Sequence, residues 1–318
     1  MTAGISRGSV GPFESIVLEN GYLRAVILPG LGGRVWELED LKRGRQWIWH
    51  RDIECLRAEP VGSNYDDSWA GGWEELFPND APETFEGRRL PDHGEWWATP
   101  WHITGSSVGE VASVRLSADL STINVSCCKE YRLGAEDAAL VVNYSICSRE
   151  RNPFHFLFKQ HLPILITPEC LLSIPRSRVE SVDPSFGTIV PDRNEFDWPY
   201  ARNGVAVSDL RRIPDPSRRQ QEFIYIKNLA APWCGVDDTR RRASIRMNFD
   251  SNDFPFVWLF LTYGGWRGYY TAVLEPCTNM PKVLSEAVRL GQSARLDPGQ
   301  VFATSVSIVL SDFKEIDT

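Results

Sequence analysis

Segments that read as β-strands occur along almost the whole chain. They are rich in β-branched and aromatic residues, and several alternate hydrophobic and polar positions with a period of two. Gly and Pro separate them, as in LPGLGG, AGGW and YGGW, which mark turns. The predicted strands are YLRAVILP (22–29), SVRLSADL (113–120), ALVVNYSICS (139–148), EFIYIKNL (222–229), FPFVWLFLTY (254–263), YYTAVLEP (269–276) and FATSVSIVL (302–310). This pattern predicts an all-β fold, a large antiparallel β-sandwich with long loops and few short helices.

Two segments depart from simple alternation. Residues 254–263 are apolar on both faces, which predicts a strand at the centre of a sheet. Residues 281–291, PKVLSEAVRLG, best satisfy a helical period, with Pro281 near the start and Gly291 as the stop. In such a sandwich, ligands sit on the concave face of a sheet.

Length and composition are those of a globular protein with a sizeable core. The chain has 318 residues, of which 42% are hydrophobic and 24% charged. Because no internal repeat or long linker divides the chain, we predict a single domain over residues 1–318. The 12 tryptophans indicate either stacking surfaces in a cleft or a Trp-rich core, and both interpretations stay open.

The formal net charge of the chain is −8. Because nucleic acids and anionic membranes bind proteins with a basic face, this charge argues against both as partners. Two Arg-rich stretches, residues 211–219 and 240–242, are local exceptions. They are either solvated loops or an anion site for a charged substrate.

Cysteine content and hydropathy predict a cytoplasmic protein. The seven cysteines have no spacing typical of a disulfide framework, so we expect reduced thiols. The N-terminal segment has no apolar region of a signal peptide, and no run approaches the roughly 18 apolar residues of a membrane span.

A glutamate follows an apolar run near the C-terminal end of the chain. Glu275 comes directly after Ala-Val-Leu and before Pro276. Proline lacks an N–H and biases the preceding residue toward an extended backbone, so the strand should stop here. A buried carboxylate costs several kcal/mol unless partners compensate. Glu275 therefore either reaches water at a strand end or points into a polar pocket as a catalytic group.

Two of the five histidines lie in informative surroundings. His93 lies in LPDHGEWWATPW, where Gly94 allows close backbone approach and flat faces such as that of Trp97 suit a sugar. In FHFLFKQHLPILI (154–166), alternation places Lys159 and His161 on one face of a strand. A core or surface imidazole is the competing interpretation for each histidine alone. Together with Glu275 they match the needs of general acid–base chemistry on a sugar.

The sequence lacks the motifs typical of metal-binding, serine-nucleophile and nucleotide-binding proteins. We find no HxH, HExxH or CxxC for a metal, no GxSxG for a nucleophilic serine, and no P-loop or GxGxxG for a nucleotide. The sequence therefore predicts neither a metal nor a cofactor.

Five segments, taken in order, resemble the galactose mutarotase-like (aldose 1-epimerase) family. They cover most of the chain from about Asn20 to Leu310: LPGLGGRVWEL, GGWEELFPND, DHGEWWATPW, FKQHLPIL and AVLEPCTNMPKVLSEAVRLGQSARLDPGQ. The resemblance implies a β-supersandwich whose strand glutamate is the catalytic base and whose mid-chain histidine is the acid. Those roles fall on Glu275 and His161, and the histidine of the HG motif that binds the sugar ring is His93.

The remaining sugar-binding residues match the family less closely. Galactose-type members carry an Arg before the HG motif, for which Arg88 or Arg89 is the counterpart here. They also carry an Asp-His pair, whose nearest match is Asp197, followed by Trp198 in place of the His. The galactose preference of such members therefore does not carry over. The predicted substrate-binding residues are His93, Lys159, Asp197, Trp97, Asn79 and Arg88.

The sequence thus predicts an aldose 1-epimerase that needs no cofactor and binds a small sugar, neutral or anionic. A noncatalytic sugar-binding module and an enzyme acting on an acidic glycan are the alternatives. For an anionic sugar, Arg211, Arg212 and Arg240 are the candidate contacts. Whether the chain forms a homodimer stays open.

Overall fold

The computed structural model describes residues 2–183, 185–190, 195–203 and 206–313. These residues form mostly β-strands, with two short α-helices and four single-turn 3₁₀ helices. The strands are β1 (Gly4–Val10), β2 (Phe13–Glu19), β3 (Leu23–Leu28), β4 (Arg34–Asp40), β5 (Arg45–Gln46), β6 (Glu74–Leu76), β7 (Glu83–Phe85), β8 (Arg88–Leu90), β9 (His102–Ser107), β10 (Val111–Leu120), β11 (Val125–Gly134), β12 (Ala139–Ser148), β13 (Phe154–Phe156), β14 (Lys159–Leu165), β15 (Cys170–Ser173), β16 (Arg178–Ser181), β17 (Phe196–Asp197), β18 (Tyr200–Asn203), β19 (Ala206–Asp209), β20 (Gln220–Lys227), β21 (Trp233–Asp238), β22 (Ala243–Phe249), β23 (Phe256–Tyr263), β24 (Tyr270–Cys277), β25 (Ala294–Leu296) and β26 (Val301–Asp312). The α-helices are α1 (Tyr65–Ser68) and α2 (Leu284–Arg289), and the 3₁₀ turns are Ile53–Cys55, Trp96–Ala98, Pro216–Arg218 and Trp266–Gly268.

Three larger antiparallel sheets organise these strands. One has eight strands in the order β15-β21-β22-β26-β12-β11-β10-β9, and one has seven in the order β17-β16-β20-β23-β24-β14-β6. A five-stranded sheet, β1 to β5, forms the N-terminal part. The predicted all-β antiparallel fold is confirmed, and the apolar strand predicted to be central, β23, is the fourth of seven.

The main core lies between the sheets and fixes which way the side chains of β24 point. The largest hydrophobic cluster combines Leu116 and Ile308 of the eight-stranded sheet with Leu259 and Leu274 of the seven-stranded sheet. Because side chains alternate along a strand, the residue after Leu274, Glu275, points to the opposite face of the sheet. The seven-stranded sheet thus has one face on the core and one face free for a site.

The strand that carries Glu275 does not end where we predicted. β24 continues through Pro276 to Cys277, and Pro276 lies opposite Val257 of β23. On its other side, β24 pairs with β14 at Leu274 and again at Cys277, but not in between. The proline is tolerated because its missing N–H falls where that ladder is interrupted.

The predicted strand over residues 154–166 is two strands, β13 and β14, separated at Leu157 and Phe158. The N–H of Leu157 donates to the carbonyl of Pro78, and the N–H of Phe158 donates to Thr278 Oγ1. These bonds take both backbone groups out of the sheet ladder. The predicted helix at residues 281–291 is confirmed as the shorter α2, and Gly291 follows it with a φ of +68°.

Most of the tryptophans are buried, and of the buried ones only Trp69 also lines the cavity described below. Those that are buried are Trp36, Trp47, Trp69, Trp73, Trp96, Trp97, Trp101, Trp198 and Trp258. All seven cysteines are free thiols. Within the described part of the chain, no helix is long and apolar enough to cross a membrane.

Candidate functional site

A cavity of about 230 Å³ opens on the face of the seven-stranded sheet that points away from the main core. Its apolar walls are aromatic: Tyr65, Trp69, Phe186, Phe223, Phe260 and Trp266. Its titratable lining consists of Asp66, Asp80, Asp183, Glu275, Lys159, Lys282, His93 and His161. Flat rings beside polar groups form the type of surface on which sugars stack and hydrogen-bond.

Strand register brings the two central side chains together. β14 and β24 pair Leu162 with Leu274 and Lys159 with Cys277. The same register places His161 opposite Glu275, and both side chains are buried on the cavity face. The distance from His161 Nε2 to Glu275 Oε1 is 3.6 Å. That spacing is too long for a hydrogen bond, so both atoms are free to meet a ligand.

Lys159 holds two carboxylates in place at the floor of the cavity. Its Nζ lies 2.5 Å from Asp80 Oδ2 and 2.7 Å from Glu275 Oε2. The ammonium also lies over the Trp258 ring, 4.2 Å from the centroid. Burial lowers the pKa of Lys159, but Asp80 and Glu275 outweigh burial, so its pKa is raised and the lysine is a fixed cation.

The environment moves the protonation equilibria of Glu275 and His161 in opposite directions. Burial raises the pKa of Glu275 to about 7, although Lys159 opposes the rise. Burial lowers the pKa of His161 well below its usual value, and the positive charges of Lys159 and His93 lower it further. Near neutral pH, Glu275 therefore exchanges a proton readily while His161 is neutral.

His93 lies on the rim, in the loop that carries the HG motif. Its ring stacks on Tyr65 with centroids 4.0 Å apart, and its Nδ1 lies 2.8 Å from Asp92 Oδ1. Burial lowers the pKa of His93, but Asp80 and Asp92 outweigh it and the pKa is raised. The next residue must be glycine, because a Cβ on Gly94 would lie 2.0 Å from the Phe77 carbonyl oxygen.

A buried chain of contacts continues behind His161. Its Nδ1 lies 3.3 Å from the Tyr65 hydroxyl, which donates to Glu74 Oε1 at 2.7 Å. Arg34 Nη2 lies 2.6 Å from the other oxygen of Glu74. Burial raises the pKa of Glu74, and Arg34 opposes that rise. A line of polar contacts thus runs from His161 at the cavity to the ion pair of Glu74 and Arg34 in the interior.

Proteins of known structure share this architecture over nearly their whole length. A Synechocystis protein is 18% identical, with a TM-score of 0.69, over 94% of this chain and 96% of its own. A galactose mutarotase-like protein from Clostridium acetobutylicum is 12% identical, with a TM-score of 0.71, over 98% and 99%. A galactose mutarotase related enzyme from Lactobacillus acidophilus is 13% identical, with a TM-score of 0.66, over 95% and 98%.

The chain has the galactose mutarotase-like fold. No family model and no curated protein matches the sequence. At such low identities the likeness shows the fold alone, so the chemistry of this site has to be argued from its own residues.

On this mutarotase-like fold, four of the predicted site residues line one cavity: Glu275, His161, Lys159 and His93. The expected alternation in β14 holds, since Gln160 points the other way and accepts a hydrogen bond from Trp73 Nε1 at 2.9 Å.

Two further predicted residues lie behind the cavity wall. The ring of Trp97 is buried and packs nearly perpendicular to that of Tyr65, with centroids 5.2 Å apart, and Trp97 does not line the cavity. Asn79 Nδ2 donates to the carbonyls of Ala81 and Pro91, at 2.9 and 2.6 Å, and so holds the rim loop.

The structure does not bring Asp197 and Arg88 to the cavity. Asp197 is exposed on β17, where Arg178 Nη1 lies 2.9 Å from its Oδ1. Arg88, on β8, lies 2.9 Å from Glu150 and lines a separate hollow. Both predictions rest on short local matches to the family, and a short match does not determine where its segment lies in the fold.

Several lining residues were missed by sequence reasoning. Asp80 directly follows Asn79 in FPND, and the turn points the carboxylate rather than the amide into the cavity. Tyr65 is the first residue of helix α1 and Trp69 follows its last, in a segment without any recognisable motif. Within the described ranges, no group of three or more His, Cys, Asp or Glu residues is arranged to hold a metal ion.

Proposed function

We propose that the protein is an aldose 1-epimerase that interconverts the α and β anomers of a sugar. The observation that carries this proposal is the placement of Glu275 opposite His161 on neighbouring strands, with 3.6 Å between the facing atoms. Opening and closing a sugar ring requires one group that accepts a proton and one that donates a proton, both beside a cavity that holds the sugar. The mutarotase-like fold supports the same conclusion.

The reaction needs one proton shared by the pair. In the state that reacts, Glu275 is ionised and His161 carries the proton on Nε2. Glu275 takes the proton of the anomeric hydroxyl while His161 protonates the ring oxygen, and the ring C–O bond breaks to give the open aldehyde. Rotation about one C–C bond and the reverse transfers close the ring as the other anomer. Both groups then hold the protons with which they began.

The rest of the site supports this exchange. Lys159 compensates the negative charge of Glu275, from which it lies 2.7 Å away, so the ionised form is accessible in a buried position. His93 and the rings of Tyr65 and Trp69 are placed to contact the sugar. One positioned acid or base contributes roughly 10²- to 10⁴-fold, so the pair is sufficient for a reaction that already proceeds in water.

The cavity favours a neutral aldose over an anionic one. Its lining has four carboxylates against two lysines and two histidines, and Lys159 is already paired with two of the acids. Arg211 is paired with Asp209 at 2.9 Å, and neither Arg212 nor Arg240 lines the cavity. The lining cation available to an anionic substituent is Lys282.

The test is NMR exchange spectroscopy or polarimetry on freshly dissolved single anomers of neutral and anionic aldoses. We expect faster anomer exchange for at least one neutral aldose. Binding without acceleration across the whole panel would instead indicate a noncatalytic sugar-binding module. Release of product from an acidic oligosaccharide, which an epimerase cannot give, would indicate a lyase or hydrolase.

A further inference from the structure

We propose that Tyr65 and Glu74 are positioning residues that keep a proton on Nδ1 of His161 and so reserve Nε2 for exchange with the substrate. This inference rests on the proposed function, because it assigns the reacting nitrogen of its histidine. Neither residue lies next to His161 in the sequence, and Glu74 is fully buried. The Tyr65 hydroxyl, which contacts both His161 and Glu74, has a single proton.

That proton has two acceptors within reach. Glu74 Oε1 lies 2.7 Å from the Tyr65 oxygen, and His161 Nδ1 lies 3.3 Å from it. Hydrogen bonds to an ionised carboxylate are shorter and stronger than those to a neutral nitrogen. Burial raises the pKa of Tyr65 well above its usual value, so the hydroxyl keeps its proton and donates it to Glu74.

Glu74 is held as an acceptor by a cation that does not release its proton. Arg34 Nη2 lies 2.6 Å from Glu74 Oε2, and its Nη1 donates to the carbonyl of Gly71 at 2.8 Å. An arginine stays protonated in proteins, so its buried charge needs the carboxylate as a counter-ion. The two oxygens of Glu74 are thus occupied by Arg34 and by the Tyr65 hydroxyl.

The direction of the hydrogen bond from Tyr65 to Glu74 determines which nitrogen of His161 carries a proton. With its own proton directed to Glu74, the Tyr65 oxygen can only accept from His161, so Nδ1 must be the N–H. In the neutral ring Nε2 then carries the lone pair, and it faces Glu275 Oε1 at 3.6 Å. When Nε2 takes a proton, the resulting positive charge is linked through Tyr65 to the carboxylate of Glu74.

The opposite order makes an equally definite prediction. If Glu74 carried the proton, it would donate to the Tyr65 oxygen, the hydroxyl would donate to Nδ1, and the neutral ring would hold its proton on Nε2. The tautomer of His161 therefore reports which way the chain of hydrogen bonds runs.

The experiment combines this tautomer with kinetics in Tyr65→Phe, which removes the hydroxyl and keeps the ring that stacks on His93. The matched control is Tyr144→Phe. The Tyr144 hydroxyl is also buried and donates to a glutamate, Glu75, at 2.6 Å, but it lies on the other side of the sheet. Imidazole ¹⁵N shifts and long-range ¹H–¹⁵N couplings identify the tautomer, with a His161→Gln sample for assignment among the five histidines.

We expect wild type and Tyr144→Phe to show the Nδ1–H form of His161, and Tyr65→Phe to show a mixture of the two forms. For Tyr65→Phe, kcat for anomer exchange should fall about 10- to 100-fold with KM changed less than about threefold, because orientation rather than sugar contact is lost. For Tyr144→Phe, kcat should stay within about threefold of wild type.

An Nε2–H form in the wild type would overturn the inference, and so would a Tyr65→Phe enzyme with an unchanged tautomer and kcat. A wild type that accelerates no sugar would refute the proposed function instead. The NMR spectrum does not depend on turnover, so it would still decide whether Tyr65 and Glu74 hold the Nδ1 proton.

Discussion

Two buried lysine–glutamate pairs lie on opposite faces of the seven-stranded sheet, one bridging β6 to β11 of the eight-stranded sheet and the other joining β14 to β24. The pair of Lys129 and Glu75 faces the interior, and the pair of Lys159 and Glu275 faces the cavity. In all four residues the side chain is at most 3% exposed. The residue types and the burial are the same, so the difference lies in what surrounds each carboxylate.

The interior pair is saturated with partners. Glu75 accepts from Lys129 with one oxygen and from Tyr144 with the other, at 2.6 Å in the second case. Lys129 also donates to the Gly32 carbonyl at 2.5 Å and lies 4.8 Å from the Trp101 ring centroid. Burial lowers the pKa of Lys129, and Glu75 opposes that change. No oxygen of Glu75 is left for a ligand.

The cavity pair is left incomplete. Lys159 contacts one oxygen of Glu275, and the other faces His161 across a gap of 3.6 Å. A buried ion pair is therefore structural where both carboxylate oxygens accept hydrogen bonds, and it becomes a candidate for catalysis where one oxygen faces a cavity.

The largest expected difference between the two pairs is in the unfolding free energy lost when the lysine of the interior pair is replaced. Lys129→Met leaves the Glu75 carboxylate buried without its cation, and breaking such a pair costs about 3–5 kcal/mol of unfolding free energy. Urea unfolding monitored by tryptophan fluorescence measures this loss. A variant as stable as wild type would show that the interior pair is not the structural one.

The pH dependence sharpens the description of the cavity pair. The pKa of Glu275 is about 7 and that of His161 is well below 6.5. The pair therefore shares a single proton at pH values that lie between the two pKa values. Above pH 7, Glu275 loses that proton and kcat/KM should fall about tenfold per pH unit. Anomer exchange measured from pH 5 to 9 tests this. A rate that is flat or rising above pH 7 would contradict the assignment.

The smallest effects are expected for the predicted residues that lie outside the cavity. Asp197→Asn and Arg88→Gln each remove one surface ion pair, so unfolding free energy should change by about 0–1 kcal/mol and exchange should be unaffected. Parallel unfolding and exchange assays check both variants. A loss of exchange in either would place that residue in the site after all.

Periodicity predicted the parts of this molecule that depend on neighbouring residues in the chain. Alternation placed Lys159 and His161 on one face, and the local sequence singled out Glu275 and His93. The resemblance then gave roles to Glu275, His161 and His93, and all four residues line the same cavity. The predicted end of β24 was wrong. The strand continues past Pro276 because its pairing with β14 is interrupted there, and that interruption depends on both strands and not on Pro276 alone.

Residues that act through contacts distant in sequence could not be found in this way. Tyr65 reaches His161 across 96 positions, and Lys129 reaches Glu75 across 54. Nothing local distinguishes Glu74, which serves the cavity, from Glu75, which serves the core, until their pairing with β14 sets the direction of each side chain.

The most direct test of the account is Glu275→Gln, with anomer exchange and melting temperature measured on the same sample. The amide keeps the size of the side chain and an acceptor for Lys159 but cannot take the anomeric proton. We predict a loss of about 10²- to 10⁴-fold in the catalysed rate with the fold retained, because Asp80 remains as a counter-ion of Lys159. Retained exchange would contradict the central role of Glu275, and a lost fold would show that this pair, like that of Lys129, is structural.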